Sequence, residues 1–179
     1  MVAPVSSLHS SFPVPRTRLI GREQECAAAL TFLMEDAVPL LTLTGPGGVG
    51  KTRLALAIAQ EVAAHFADGA AFVDLSPLTD PALVAPAVAD ILGVSLGTSP
   101  SITDAIIAQL HAAQLLLILD NCEQVLAAAA ALVSPILARC SAVQVLATSR
   151  RRCTSVASRC WRCPRCPCRP RAAPRPSRR

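Results

Sequence analysis

Gly45-Pro46-Gly47-Gly48-Val49-Gly50-Lys51-Thr52 follows the spacing G-x-x-x-x-G-K-[ST], and the chemistry of that spacing is the capture of phosphate. A phosphate's charge must be met by many donors at short range. Glycines let successive backbone N–H groups turn inward with no Cβ in the way. A helix that follows adds the positive end of its dipole. Gly45, Gly47, Gly48, Val49 and Gly50 would form the cradle, Lys51 would reach the β- and γ-phosphates, and the Thr52 hydroxyl would ligate Mg²⁺. The competing reading is a glycine-rich turn that fits by chance. Three further residues bear on the same chemistry. The run Leu115-Leu116-Leu117-Ile118-Leu119 ends in Asp120, a carboxylate placed to help hold Mg²⁺, or else to cap the next helix. Glu123 could polarise an attacking water, or serve only as a first-turn acid favoured by a helix dipole. Arg150, after Thr148-Ser149, could touch a terminal phosphate, or be an ordinary loop arginine. Lys51, Glu123 and Arg150 are therefore the expected catalytic group, and Thr52 and Asp120 the expected metal ligands.

These residues need a scaffold, and the apolar spacing supplies one. Residues 38–44 form a short β-branched and apolar run, broken only by Pro39, that predicts a buried strand. Residues 53–66 place Leu54, Ile58, Val62 and Phe66 at helical spacing. Strand, glycine loop and helix is the context the motif requires, which argues against a chance match. A helix is expected over 22–34 and a strand over 71–75. Asp80-Pro81 starts another helix, with Pro86 expected to bend it. Ser101-x-x-Asp104 caps a helix running to about 113. A strand over 115–119, a helix over 123–139 and a strand over 143–147 complete the series. Strands alternating with helices predict an α/β fold with a parallel sheet covered on both faces, and ligands of such sheets gather at the carboxyl ends of the strands.

Composition divides the chain. Residues 1–150 carry seven Lys and Arg against twelve Asp and Glu, while 151–179 carry ten Arg and no acid. Five of the eight cysteines also lie in that tail. The overall charge of +5 therefore says nothing about nucleic-acid affinity of the acidic body. The longest soft run, 125–138, is interrupted by Ser134 and Pro135 and is too short to span a membrane. Residues 1–15 contain Ser, His and Pro where a signal peptide needs a continuous apolar stretch. No membrane association and a cytoplasmic location are the expectation.

Leu19-Ile20-Gly21-Arg22-Glu23, the glycine loop, Leu119-Asp120-Asn121-x-Glu123 and Ala147-Thr148-Ser149-Arg150 occur in the order and spacing of signal-transduction NTPases of the NB-ARC (STAND) type. The chain most resembles the ATPase module of large bacterial transcriptional regulators of the LuxR and AfsR/SARP kind, over about residues 13–150. The resemblance implies a P-loop NTPase fold, a three-layer sandwich, and the binding of ATP or ADP with Mg²⁺. It implies that Ile20, Gly21 and Arg22 lie against the adenine and ribose, and that Arg150 senses the γ-phosphate. It further implies an ATP/ADP switch reset by slow hydrolysis, oligomerisation in the ATP state, and an attached DNA-binding domain and repeat-built sensor. The chain departs from the pattern after Arg150, where the family continues into a last sheet strand, a helical lid and a winged-helix subdomain bearing a histidine. The expected organisation is a flexible leader over 1–18, an incomplete NTPase domain over 19–150 without its last strand and lid, and a disordered tail over 151–179. Hydrolysis is expected only where the fold is complete enough.

The tail admits several readings. Cys160-x-x-Cys163-x-x-Cys166-x-Cys168, with Cys153 as a spare, invites zinc binding, though its ligands are more crowded than in paired-knuckle sites. A basic arm that binds nucleic acid through phosphate contacts is a second reading. A shifted reading frame is the favoured one. Back-translated with GC-rich codons and read from the third base of the Arg151 codon, the segment can become Pro-Leu-His-Val-Arg-Gly-Glu-Gln-Val-Leu-Ala-Val-Pro-Pro-Leu. The cysteines then become leucine or valine. The alternatives to a nucleotide-binding module are thus a frameshift fragment without function, a non-enzymatic protein acting through its tail, and a housekeeping P-loop hydrolase or kinase. The last would need a substrate lid or a nucleophile partner, and none is legible.

Overall fold

The two apolar periodicities fold as they should. In the computed structural model, which describes residues 19–97, 99–150 and the backbone of 158–162, the helices are α1 Glu23–Leu30, α2 Lys51–Val62, α3 Val84–Ile91, α4 Ile102–Leu110 and α5 Leu126–Arg139. The strands are β1 Leu40–Thr44, β2 Ala70–Asp74, β3 Leu115–Asp120, β4 Val143–Ser149 and β5 Ser158–Arg162. All pairings are parallel, in the order β2-β3-β4-β1-β5. β3 is buried along its whole length, which is why it reads as an unbroken apolar run. Leu115, Leu117 and Leu119 pack with α3, α4 and α5 on one face. Leu116 and Ile118 pack with residues of α1 and α2 on the other. The three layers follow from this alternation of side chains across a pleated strand.

Register then decides what meets at the carboxyl edge. Thr44 of β1 pairs with Ser149 of β4, Leu119 of β3 with Ala147 of β4, and Asp74 of β2 with Asp120 of β3. The start of the glycine loop, Asp120 and the end of β4 are thereby brought to one edge. β1 lies inside the sheet, while the chain leaves it for β2 two strands beyond β4, and a crevice opens where the strand order reverses.

Three expectations need correction. The sheet does not lack its last strand: Ser158–Arg162 pairs with β1, with Thr42 opposite Cys160. An inner strand of a parallel sheet offers N–H and C=O groups on both sides, and any extended backbone can satisfy them. Structure is therefore present at these five residues of a segment expected to have none. The helix expected to bend at Pro86 instead divides earlier, into a 3₁₀ turn Pro81–Leu83 and α3. Pro86 is the third residue of α3, where a missing N–H costs no intrahelical bond. The helix expected over 22–34 ends in a wide π turn, Thr31–Glu35. The cap signals hold: Asp80 accepts from the Ala82 N–H at 2.9 Å and Ser101 from the Asp104 N–H at 3.1 Å. The leader over 1–18 and the segments 151–157 and 163–179 lie outside the described residues. Among the described residues no helix is long and apolar enough to cross a membrane.

One core position carries an unmet polar atom. Thr42, in the middle of β1, is fully buried, and its hydroxyl has no hydrogen-bond partner among the described residues. Thr42→Val keeps the β-branch and removes the stranded hydroxyl. It is expected to raise stability by about 1 kcal/mol, seen as a higher urea midpoint at unchanged slope; a lower midpoint would show that the hydroxyl is satisfied in solution.

Candidate functional site

β1 ends at Thr44 and α2 begins at Lys51, so residues 45–50 must turn the chain within six positions. Gly48 (φ 77°) and Gly50 (φ 82°) take left-handed backbone, a region costly to any residue with a Cβ. Gly50 is the N-cap of α2 and offers no capping side chain. The helix start, where backbone N–H groups favour an anion, thus carries no side-chain cap. Lys51 is buried, and its ammonium donates to the carbonyls of Gly45 and Pro46, both at 3.0 Å. The lysine is folded back along its own loop, with its charge held beneath the cradle.

Asp120 is 2 % exposed and is surrounded by donors. The Thr52 hydroxyl lies 2.8 Å from Oδ2 and 3.0 Å from Oδ1. The Thr148 hydroxyl donates to Oδ1 at 2.5 Å and itself accepts the Asn121 N–H at 3.0 Å. The Asn121 amide donates to Oδ2 at 2.9 Å and to Asp74 Oδ1 at 3.3 Å. Asn121 has φ 60°, a conformation that Asn tolerates better than most residues. That twist lets its side chain bridge the two carboxylates at the ends of β2 and β3. Burial pushes the Asp74 carboxyl up, but the Ser76 N–H at 2.8 Å, the Ser76 hydroxyl at 2.9 Å and Asn121 outweigh it and hold the group below the usual carboxylate value.

Glu123 sits in the 3₁₀ turn Cys122–Gln124, directly after β3. Its carboxylate pairs with Arg150, Oε1 to Nε at 2.8 Å, and Oε2 accepts the Arg150 backbone N–H at 3.3 Å. The Arg150 guanidinium lies over the glycine loop: a Cβ placed on Gly47 would stand 3.3 Å from its central carbon. A side chain at Gly47 would crowd the guanidinium, which would have to give by a few tenths of an ångström. At the other side of the loop, the buried Arg22 guanidinium donates to the Val49 carbonyl and stands 3.9 Å from Glu25. Gly21 has φ 72° and donates its N–H to Glu23 Oε1 at 3.1 Å. Ile20 is 85 % exposed.

The structure therefore gathers Lys51, Thr52, Asp120, Glu123 and Arg150 about one loop, and ties Arg22 to it. Arg22 uses its side chain to hold Val49, while Ile20 stays exposed. Sequence reading missed Asn121 and Thr148 as partners of Asp120, and Asp74 as the second carboxylate that Asn121 bridges. The signal available for Thr148 was its place in Thr148-Ser149-Arg150 at a strand end. Asn121 likewise stood in Leu119-Asp120-Asn121-x-Glu123, while Asp74 carried no comparable pattern.

Residues 36–152 match the family model described as an AAA domain. A Mycobacterium tuberculosis protein named as an HTH-type transcriptional regulator is 42% identical over 125 residues, 70% of this chain and 14% of that one. An uncharacterised M. tuberculosis protein is 32% identical over 164 residues, 92% of this chain and 41% of its own length. The chain thus spans a minor part of both relatives. Among solved structures, it is similar in fold to Cdc6p of Pyrobaculum aerophilum (TM-score 0.57, 16% identity, 82% of this chain and 43% of the other). It is also similar to a STAND protein with a tetratricopeptide-repeat sensor from Pyrococcus horikoshii (TM-score 0.58, 16% identity, 90% and 24%). On the extent of the family match, and with the loop and Asp120 placed as such a fold requires, the chain belongs to the AAA domain family of P-loop ATPase modules.

Proposed function

We propose that this chain is the nucleotide-binding module of a STAND-type signalling ATPase that acts in transcriptional regulation, of the LuxR or AfsR/SARP kind. The observation that carries it is the convergence of Lys51, on the carbonyls of its own loop, with the Thr52 hydroxyl 2.8 Å from Asp120. Thr52 and Asp120 present the hard oxygen donors that Mg²⁺ takes, directly or through its water shell, and are the residues that would hold it. Mg²⁺, when bound, neutralises charge on the phosphate oxygens. Ile20 and Gly21 would cover the adenine, and the exposure of Ile20 supports that use. The name of the 42%-identical relative supports the setting. In that setting the DNA-binding domain and sensor belong to the same regulator, which works in the cytoplasm and assembles in its ATP state. A thermal melt tests the reading. ATP or ADP with Mg²⁺, at about 100 times its Kd, should stabilise the fold by about 2.7 kcal/mol, and GTP should stabilise it less. Equal stabilisation by GTP would remove the adenine assignment, and none by any nucleotide would remove the reading.

The reading extends to the frame after Arg150. The family match stops at residue 152, where charge and composition change. The shifted frame lays Gln-Val-Leu-Ala-Val over the stretch that pairs with β1 as β5, a better strand sequence than Ser-Arg-Cys-Trp-Arg. Against the shift stands the match to the 32%-identical relative, which at 164 of 179 residues runs past Arg150 in the frame as written. Resequencing the genomic DNA across codons 150–170 tests this. A gained or lost base confirms the shift, and an unchanged frame ends it.

A further inference from the structure

We infer that Glu123 is the specificity-determining residue of this site: it competes with a terminal phosphate for Arg150, and so sets the preference between nucleoside tri- and diphosphates. The inference rests on the loop binding nucleotide, as proposed above. Both Glu123 carboxylate oxygens are taken by one residue, the Arg150 guanidinium and its backbone N–H. The two partners differ in freedom. The Glu123 side chain is 15 % exposed and that of Arg150 is 65 % exposed. Glu123 is anchored in a turn whose Cys122 is buried, with its thiol on the Leu119 carbonyl at 3.4 Å. The arginine can therefore swing while the glutamate stays.

The guanidinium already lies against Gly47, at the mouth of the cradle. A terminal phosphate arriving there carries more charge than a carboxylate and accepts the guanidinium fork equally well. It can draw Arg150 away from Glu123. A diphosphate leaves that position vacant, and the pair persists. Triphosphate binding thus costs the Arg150–Glu123 pair, diphosphate binding does not, and Glu123 lowers the preference for triphosphate that Arg150 creates. Because the arginine is largely exposed, the penalty is modest, roughly two- to fivefold in affinity.

The test is calorimetric titration of the full chain with ATPγS and with ADP, both with Mg²⁺. Variants are Glu123→Gln, Glu123→Asp, Arg150→Ala and the Gln/Ala double. Glu123→Gln is expected to tighten ATPγS about threefold and to leave ADP unchanged. Glu123→Asp keeps the charge but draws the carboxylate back from Arg150, and should tighten ATPγS in the same direction. It also stands in should the Gln variant fail to fold. Arg150→Ala should weaken ATPγS alone, and adding Glu123→Gln to it should bring no further gain. If Glu123→Gln tightens both nucleotides alike, or keeps its gain without Arg150, the effect is mere relief of negative charge and the inference is overturned. A wild-type chain that binds both nucleotides and is unmoved by either Glu123 variant overturns this inference alone. One that binds neither overturns the nucleotide reading with it.

Discussion

Lys51→Ala is expected to weaken Mg-ATP binding at least about 100-fold, equivalent to about 2.7 kcal/mol, while the secondary structure is kept. The ammonium is buried and, among the described residues, is met by the Gly45 and Pro46 carbonyls at 3.0 Å. Carbonyl dipoles hold a buried cation less well than an anion does, so the charge is poised to exchange them for phosphate. Truncating one member of a buried charge pair costs roughly 2–5 kcal/mol. The fold should tolerate the change, because α2 is held by Leu54, Ile58, Ala59 and Val62 in the core rather than by Lys51. Calorimetry with Mg-ATP, paired with far-UV circular dichroism, checks both halves. Affinity within threefold of wild type would mean that the loop does not hold phosphate through Lys51.

Asp120→Asn is expected to abolish the contribution of Mg²⁺ to ATP binding and to destabilise the fold. Asp120 now accepts from Thr52, Thr148 and Asn121. An amide has one acceptor oxygen, and its NH₂ would be turned toward one of those donors. A buried donor left facing another donor costs roughly 1–3 kcal/mol. Removing the carboxylate also removes the charge that a divalent cation requires. Positioning groups around metal ligands are worth about 10–100-fold in metal affinity, and the carboxylate itself should be worth no less. Titrations with Mg²⁺ and with EDTA separate the effects. The variant should bind ATP equally weakly in both, and a surviving Mg²⁺ enhancement would take Asp120 out of the metal site.

Much of this was legible in the residues because the forces involved are local. The glycine spacing declares the loop, since left-handed backbone at Gly48 and Gly50 has few other tenants. Leu115–Asp120 declares a buried strand by having no polar residue before its end. What was not legible depends on register and on distant approach. Thr148 reaches Asp120 across 28 positions, and Asn121 reaches Asp74 across 47. Only the parallel pairing of β2, β3 and β4 brings them together. Arg22 on Val49, and Arg150 on Glu123, each close over 27 positions. The strand at Ser158–Arg162 was hidden for another reason: its pairing uses backbone groups, which every sequence carries, while its composition points elsewhere.

The most direct measurement is an equilibrium titration of the intact chain with Mg-ATP. The account predicts saturable binding at one site, competed by ADP and lost in Lys51→Ala. A folded chain that gives no saturation with millimolar Mg-ATP, or binding untouched by ADP and by the loss of Lys51, would contradict it.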